Sequence, residues 1–326
     1  MEILFSILTP TWNRCNYLER IHSGLIKQSY RYFEWIVADD GSTDDTESVV
    51  RELAARSDFP VIYIRANCHV GKIRMDNEAI RQAQGLLTVW CDSDDYLVPY
   101  ALECLWRTWN SIPLDERADY VGVTALAATE EGCIVNPFPD VDFKDVSWND
   151  LAEVYRVTGD MVFCVRSDLL EAHPFPEVDL VIPESVVWTA IGYKLARFVP
   201  EVLLVKEYRV IHAISFTNTM NYNRGRAYAV ALTERNLRTY KRSLIVRFWR
   251  LVTFIRYSLH GEISIWKARQ LWGDNSYGLA YWLIFPFAYF IAVKDTLQGK
   301  VRFSHREFLA NRYVARFDVE ILNSII

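Results

Sequence analysis

The chain has 326 residues, of which 51% are hydrophobic and 24% charged, and this balance excludes an intrinsically disordered protein. Its formal net charge of −5 is uneven, because Ala231–Ile326 holds 15 Lys/Arg against 7 Asp/Glu while the rest of the chain is acidic. A basic, aromatic tail after an acidic body indicates attachment to a membrane surface or another anionic partner, or docking of the tail on the body.

The first 110 residues alternate between short apolar runs and segments with helical periodicity. This order predicts an α/β fold with a mostly parallel sheet flanked by helices. Such sheets bind ligands beyond the carboxyl ends of their strands, near a switch in strand order. The predicted strands are Ile3–Thr9, Phe33–Asp39, Val61–Arg65 and Leu86–Cys91, and the predicted helices are Tyr17–Gln28, Asp44–Arg56, Arg74–Gln84 and Pro99–Trp109.

The second half of the chain predicts further strands and then a helical C-terminal extension. The strands are expected at Tyr120–Ala127, Met161–Arg166 and Val199–Val205, with a helix at Glu184–Leu195 between the last two. From Ala227 onward the pattern is helical, basic and aromatic. We therefore expect an α/β domain over residues 1–225 and a helical attachment region over residues 226–326.

The most acidic strand end is Asp92–Asp95 (DSDD), directly after an apolar run. Three adjacent carboxylates repel one another unless a cation is near, and oxygen ligands suit a hard cation such as Mg²⁺ or Mn²⁺. The alternative is a solvated acidic turn that caps the next helix. The segment Asp39–Ser42 (DDGS) presents the same choice, between a carboxylate that accepts a nucleobase N–H and a turn.

Four segments together resemble family 2 glycosyltransferases of the GT-A fold. They are Ser6–Arg14 (SILTPTWNR), Ile36–Asp44 (IVADDGSTD), the set Gly71, Arg74 and Asn77, and Asp92–Asp95. The resemblance is specific through Pro99 and weaker to Asn218. It implies a glycosyltransferase of the hexosyltransferase type, with residues 1–225 as the catalytic domain.

The resemblance also implies roles for individual residues. Asp40 is expected to accept the uracil N3–H, which favours a UDP-sugar over the dTDP- or GDP-sugars that bind similar loops. Asp94 is expected to bind Mn²⁺ or Mg²⁺ most directly. Glu184 is the candidate base, because Ser185 stands where many members have the aspartate that acts as the base. The full donor set is Pro10, Thr11, Trp12, Asn13, Arg14, Asp40, Lys72, Arg74, Asp92, Ser93 and Asp160, and the metal set is Asp92, Asp94 and His212.

The expected function is therefore inverting, metal-dependent transfer of a sugar to a glycan or lipid-linked acceptor in bacterial surface polysaccharide assembly. The alternative is a catalytically inactive scaffold that only binds nucleotide. No nucleic-acid partner is expected.

The tail carries a run of 17 uncharged residues, Tyr277–Val293, rich in Trp, Tyr and Phe. Such composition favours a helix lying in the membrane interface over one that spans the bilayer. The alternatives are a core helix and a homodimer interface. The six cysteines are widely spaced without a C-x-x-C pattern, and Cys91 and Cys164 lie in apolar runs, which indicates a reducing compartment. Together with the tail, this predicts a cytoplasmic protein that is peripheral on the cytoplasmic face of the inner membrane.

Overall fold

The computed structural model describes residues 3–135, 144–155, 157, 160–207, 220–238, 242–273, 278–298 and 317–323. The chain divides into two compact units. The first contains Met1–Phe175, Ile191–Ala213 and Ala310–Ile326, and the second contains Pro176–Ala190 and Ile214–Leu309. The division into residues 1–225 and 226–326 stays a prediction.

The centre of the first unit is a parallel four-stranded sheet in the order β3-β2-β1-β4. All residues of β1 and β2 are buried, as expected for parallel strands that are covered on both faces. The predicted α/β fold with a mostly parallel sheet is confirmed. The strands are β1 (Phe5–Thr11), β2 (Phe33–Asp39), β3 (Val61–Ala66) and β4 (Leu87–Trp90).

Four helices follow the strands and pack their apolar faces on the sheet. In the first of them, Leu18, Ile21 and Leu25 recur at helical spacing and join the main core. All four helices begin and end within two residues of their predicted bounds. They are α1 (Cys15–Ile26), α2 (Thr46–Ala55), α3 (Lys72–Gln82) and α4 (Ala101–Asn110).

The sheet continues beyond β4 with mixed pairing, in the order β4-β8-β6-β9-β5, and β7 pairs with β9. The strand β9 lies parallel to β6 and antiparallel to β5, with Val205 opposite Tyr96. Because β5 directly follows the acidic DSDD segment, this pairing brings the end of β9 to that segment. The new strands are β5 (Tyr96–Leu97), β6 (Tyr120–Thr129), β7 (Asp145–Ser147), β8 (Val162–Arg166) and β9 (Leu195–Lys206).

Three short helices lie in this part of the chain. α5 (Trp148–Glu153) and α6 (Ser167–Ala172) belong to the first unit, and α7 (Ser185–Ile191) belongs to the second except for Ile191. The predicted helix Glu184–Leu195 is too long, because Leu195 already pairs with Tyr120 of β6 as the first residue of β9. Tertiary strand pairing therefore overrides the helical pattern at the end of α7.

The second unit contains the four longer C-terminal helices α8 (Met220–Asn236), α9 (Leu244–His260), α10 (Ile265–Trp272) and α11 (Gly278–Leu297). Serine side chains cap the starts of α9 and α10, and α10 ends at Gly273 in the left-handed conformation. Phe254, Trp272 and Tyr281 belong to the core of this unit. Across the described residues, no helix combines the length and the hydropathy needed to cross a membrane.

Residues Phe317–Asn323 were expected in the helical tail, but they form a strand, β10, that belongs to the first unit. Its residues alternate between apolar and acidic (FDVEI), which is the period of a strand. β10 pairs antiparallel with β3 and satisfies the backbone groups along that edge of the sheet.

We expect Gly122→Ala to destabilise the sheet between β6 and β8. An added Cβ at Gly122 would lie 1.9 Å from the Cys164 carbonyl oxygen, so the two strands must separate. Gly132→Ala is the matched control, since that position also has a positive φ but no atom of the described residues beyond its chain neighbours lies within 4 Å of the added Cβ. Urea unfolding should show Gly122→Ala to be less stable than Gly132→Ala by roughly 1–3 kcal/mol. Equal stability of the two variants would contradict the close approach.

Candidate active site

The carboxyl ends of three parallel strands meet at one edge of the sheet. Thr11 at the end of β1 lies opposite Asp39 at the end of β2, and Leu8 lies opposite Trp90 at the end of β4. The Asp40 amide donates to the Thr11 carbonyl at 2.9 Å, so the β1 and β2 loops leave the sheet side by side. The polar segments identified in the sequence are therefore neighbours in space.

The β1 loop is tied to the loop that follows β2. Asn13 has a positive φ of 52°, a conformation that asparagine tolerates better than most residues. Its amide donates to Ser42 Oγ at 2.8 Å, and its Oδ1 accepts from the Thr43 amide at 2.8 Å. This network fixes the direction in which Trp12 and Arg14 leave the sheet.

Arg14 connects the β1 loop to the DSDD segment. Its Nη1 lies 2.9 Å from Asp94 Oδ2 and 3.2 Å from Ser93 Oγ, and the Arg14 and Asp94 side chains are both largely buried. Arg14, Ser93 and Asp94, three predicted donor and metal residues, are thus brought together.

The remaining predicted nucleobase residues differ in exposure. Pro10 and Thr11 are buried at the end of β1, whereas Trp12 is exposed and stacks on His69 with ring centroids 4.1 Å apart. Thr11 Oγ1 is buried and has no hydrogen-bond partner among the described residues. An aromatic surface and an unsatisfied hydroxyl suit a planar, polar ring.

Asp40 is buried, and its carboxylate is already well satisfied. Oδ1 accepts from the Val70 and Gly71 amides at 2.6 and 3.1 Å, and Oδ2 accepts from the Gly71 amide at 2.9 Å. His69 Nδ1 also lies 2.9 Å from Oδ2. Asp40 therefore anchors the turn before α3, and a nucleobase N–H can reach its carboxylate only by replacing one of these contacts.

Lys206, which was not predicted from the sequence, lies in the middle of the acidic cluster. Its Nζ is 2.6 Å from Asp95 Oδ2, 3.8 Å from Asp92 Oδ2 and 3.8 Å from Asp160 Oδ2. Only 13% of the Lys206 side chain is exposed. Asp160, a predicted donor contact, is thereby joined to the DSDD segment.

Burial and neighbouring charges shift the protonation equilibria of this cluster. Burial would lower the pKa of Lys206, but the carboxylates of Asp92, Asp95 and Asp160 raise it above its usual value. Burial raises the pKa of Asp94 despite Arg14, and it raises the pKa of Asp95 to about 7 despite Lys206. Burial would also raise the pKa of Asp92, yet the Lys72 and Lys206 ammonium groups lower it. Asp92 is therefore the member most firmly held as a carboxylate.

The two basic residues expected near the diphosphate, Lys72 and Arg74, make different kinds of contact. Lys72 Nζ, in the first turn of α3, lies 3.1 Å from Asp76 Oδ2 and 3.6 Å from Asp92 Oδ1. Arg74 is buried, and its Nη1 donates to the Val70 carbonyl at 3.0 Å. Lys72 thus joins the acidic cluster, whereas this Arg74 contact stabilises the turn before α3.

The fit of a divalent cation rests on the type of ligand atoms in this cluster. Five carboxylates (Asp76, Asp92, Asp94, Asp95 and Asp160) face three cations (Arg14, Lys72 and Lys206). Asp92 Oδ1 is buried, and its ion pair with Lys72 Nζ is long, at 3.6 Å. Hard, negatively charged oxygens suit Mn²⁺ or Mg²⁺. No three His, Cys, Asp or Glu side chains of the described residues are already arranged as a complete ligand set.

Glu184 and His212 are the other predicted catalytic and metal residues. Glu184 is half-buried immediately before α7 in the second unit, and its carbonyl accepts from the Val187 amide at 3.0 Å. His212 lies outside the described residues, and its proposed metal contact stays a prediction.

Sequence reasoning missed Lys206 and His69. Lys206 ends an apolar strand, which is the same signal that identified Asp39 and Asp92. Its partners are 46 to 114 positions away, so the pairing of β9 with β5 had to be known first. His69 stands three residues after the end of β3, and no local pattern indicates that it stacks on Trp12.

Comparison with known proteins supports the resemblance found in the sequence. The profile of "Glycosyl transferase family 2" matches residues 6–121. A Campylobacter jejuni protein named GalNAc(5)-diNAcBac-PP-undecaprenol beta-1,3-glucosyltransferase is 26% identical over 227 residues, which are 68% of this chain and 70% of the relative. Poly(ribitol-phosphate) beta-N-acetylglucosaminyltransferase TarS of Staphylococcus aureus is 34% identical over 95 residues, which span 28% of this chain and 16% of TarS.

Two solved structures have a similar fold. Residues 1–349 of S. aureus TarS in complex with UDP-GlcNAc align with a TM-score of 0.56 and 19% identity, covering 91% of this chain and 84% of the other. The mannosyltransferase PcManGT from Pyrobaculum calidifontis, in complex with GDP-Man and Mn²⁺, aligns with a TM-score of 0.51 and 20% identity, covering 91% and 87%. The predicted fold class and enzyme class are confirmed, and the match to the family 2 glycosyltransferase profile extends over residues 6–121.

Proposed function

We propose that this protein transfers a sugar from a UDP-sugar to a hydroxyl of a glycan or lipid-linked acceptor, with inversion and with a divalent metal, in bacterial surface polysaccharide assembly. The observation that carries the proposal is the cluster of buried carboxylates and cations at the meeting point of three strand ends. The Asp92 and Asp94 carboxylates, held beside Lys72 and Arg14, suit a site for a metal-bound diphosphate.

For the donor, the base would stack on Trp12 and reach the unsatisfied Thr11 hydroxyl, next to Asp40. The uracil N3–H would bind Asp40 by replacing His69, which is the only one of its contacts made by a side chain on the described residues. The complexes of TarS with UDP and UDP-GlcNAc support a uridine donor, while the complex of PcManGT with GDP-Man keeps guanosine as the alternative to test.

For the metal, Asp92 and Asp94 would hold Mn²⁺ or Mg²⁺. A bound divalent ion supplies positive charge that stabilises a departing nucleoside diphosphate. Lys72 and Arg14 add fixed cations beside these carboxylates, and they would bind diphosphate oxygens and orient the donor. Lys206 holds Asp92, Asp95 and Asp160 in place.

For the transfer step, Glu184 would take the proton from the acceptor hydroxyl, which then attacks the anomeric carbon. Direct attack assisted by a single base, without a covalent glycosyl-enzyme intermediate, inverts the configuration at the anomeric carbon. The alternative role of Glu184 is to complement the positive N-terminal end of α7.

For the acceptor, a lipid-linked glycan on the cytoplasmic face of the inner membrane is the most consistent choice. The C. jejuni relative is named for an undecaprenol-linked glycan, and the tail of this chain is basic and aromatic. The second candidate function, an inactive nucleotide-binding scaffold, would retain UDP binding but show neither transfer nor donor hydrolysis. Retention of Asp92, Asp94 and Glu184 argues against it.

We expect UDP to bind more tightly with Mn²⁺ than without, and Asp94→Ala to remove this gain. The gain should be roughly tenfold or more, because a metal ion stabilises phosphate oxygens by several kcal/mol. Calorimetry with UDP, GDP and dTDP measures it, and Asp115→Ala, at an exposed aspartate, is the control. Lack of binding by all three nucleotides to the folded protein would refute the donor site, and full activity in EDTA would refute the metal.

Glu184→Gln should lower turnover by roughly 10²–10⁴, the usual contribution of a general base, while UDP binding stays near that of the wild type. The readouts are steady-state transfer and calorimetry on the same sample. Glu171→Gln, an equal change at an exposed glutamate, should leave both unchanged. If Glu184→Gln weakened UDP binding as much as turnover, Glu184 would belong to the donor site instead.

Lys206→Met should strengthen Mn²⁺ binding in the absence of nucleotide. Removing the ammonium takes away a positive charge 3.8 Å from Asp92 Oδ2, beside the proposed metal position, and we expect a change of roughly tenfold. Mn²⁺ titration followed by electron paramagnetic resonance measures it, with Lys27→Met at an exposed lysine as the control. Unchanged or weaker Mn²⁺ binding would show that Lys206 does not offset the charge at a metal site.

A further inference from the structure

Helix α11 is apolar on both of its long faces. Tyr281, Ala288 and Ala292 are buried in the second unit, where Tyr281 and Ala288 belong to its core. The opposite stripe is exposed, with Leu283 71% and Phe290 68% accessible to solvent. When a helix packs on one side and exposes large apolar residues on the other, the exposed side indicates an interaction site.

The exposed stripe continues onto two neighbouring helices of the same unit. Trp282 of α11 contacts Trp266 of α10 with ring centroids 5.4 Å apart, and Phe287 contacts Trp249 of α9 at 6.1 Å. Both partner tryptophans are exposed, Trp266 to 72%. We name this surface the aromatic face, and it consists of Trp249, Trp266, Trp282, Leu283, Phe287 and Phe290.

The helices that carry the aromatic face are strongly basic. α9, α10 and α11 together contain six Lys/Arg and one acidic residue, Asp295. Asp295 is buried and pairs with Arg256 and His260, so the charge it offsets is that of Arg256, whereas Lys267 and Lys294 are exposed. This combination of Trp, Phe and Leu with surrounding cations complements an anionic lipid interface.

A lipid surface explains these features better than a second copy of the chain. Two basic surfaces brought face to face would repel each other, whereas anionic headgroups would neutralise them. Tryptophan, with its amphipathic ring, is also the residue typical of the boundary between headgroups and acyl chains. The charge and the residue types therefore point to the same occupant.

We propose that the aromatic face inserts into the interfacial layer of an anionic membrane, with α11 lying in the membrane plane. The inference deepens the proposed function, because it names the surface by which the protein reaches a lipid-linked acceptor. Membrane binding can nevertheless be measured without donor or acceptor, so failure of this proposal is distinguishable from failure of the transferase proposal.

The first test is flotation of the full chain with vesicles of phosphatidylcholine alone or of equal parts phosphatidylcholine and phosphatidylglycerol. The wild type should bind the anionic vesicles. The double variant Leu283→Gln/Phe290→Gln should bind them roughly tenfold more weakly or worse, because it replaces apolar side chains that leave water on insertion. Since both residues are exposed, the variant should keep its far-ultraviolet circular dichroism and its UDP affinity. Leu114→Gln, at an exposed leucine of the first unit, is the control.

The second test addresses the charges. Lys267→Gln/Lys294→Gln should weaken binding to anionic vesicles and reduce its dependence on salt, because both lysines are exposed beside the aromatic face. The proposal is overturned if the folded wild type ignores anionic vesicles, or if Leu283→Gln/Phe290→Gln binds them like the wild type. It is also overturned if the wild type is a dimer that binds no vesicles and Leu283→Gln/Phe290→Gln is a monomer. The aromatic face would then be a homodimer interface.

Discussion

The parallel register of β1 with β2 on one side and β4 on the other is the constraint on which the site depends. Because of this register, β1, β2 and β4 end at Thr11, Asp39 and Trp90 on one edge of the sheet, where the three polar loops emerge together. The strands are buried along their whole length, so charged side chains that must meet a ligand are placed where the chain leaves the sheet. The location of the chemistry thus follows from the order of the strands, before any particular side chain is considered.

Within that edge, the protein supplies much of its own charge compensation. Three adjacent carboxylates in the sequence predict an external cation, but Arg14, Lys72 and Lys206 provide cations from three different segments of the chain. Repulsion among the carboxylates is therefore weak support for a metal. The better support is the Asp92 carboxylate, which Lys72 and Lys206 keep ionised and whose buried Oδ1 lies 3.6 Å from the Lys72 ammonium. The cations also hold the loops in place before a ligand arrives, which lowers the reorganisation that binding requires.

The sequence was sufficient for the parallel half of the fold, because each strand there is a short apolar run closed by a polar turn. Phe33–Asp39 was predicted with its observed bounds, and its neighbours within two residues. Local patterns were insufficient where long-range pairing decides the structure. Leu195 joins β9 instead of extending α7, and Lys206 meets Asp95 across 111 positions. The roles of Trp12, Asp94 and Glu184 came from family resemblance, which assigns positions but not the contacts that His69 and Lys206 make with them.

The strand β10 has a consequence for how the protein is made. In the chain, the residues of the second unit from Ile214 to Leu309 are synthesised before Phe317–Asn323, although β10 belongs to the first unit. The first unit therefore emerges from the ribosome with the edge of β3 uncovered, and it stays so while about a hundred further residues are translated, for several seconds or more at typical rates. During that interval a second nascent chain could pair with β3, and arrival of β10 removes the opportunity. β10, the last described segment of the chain, thus covers the exposed edge of the unit that is synthesised first.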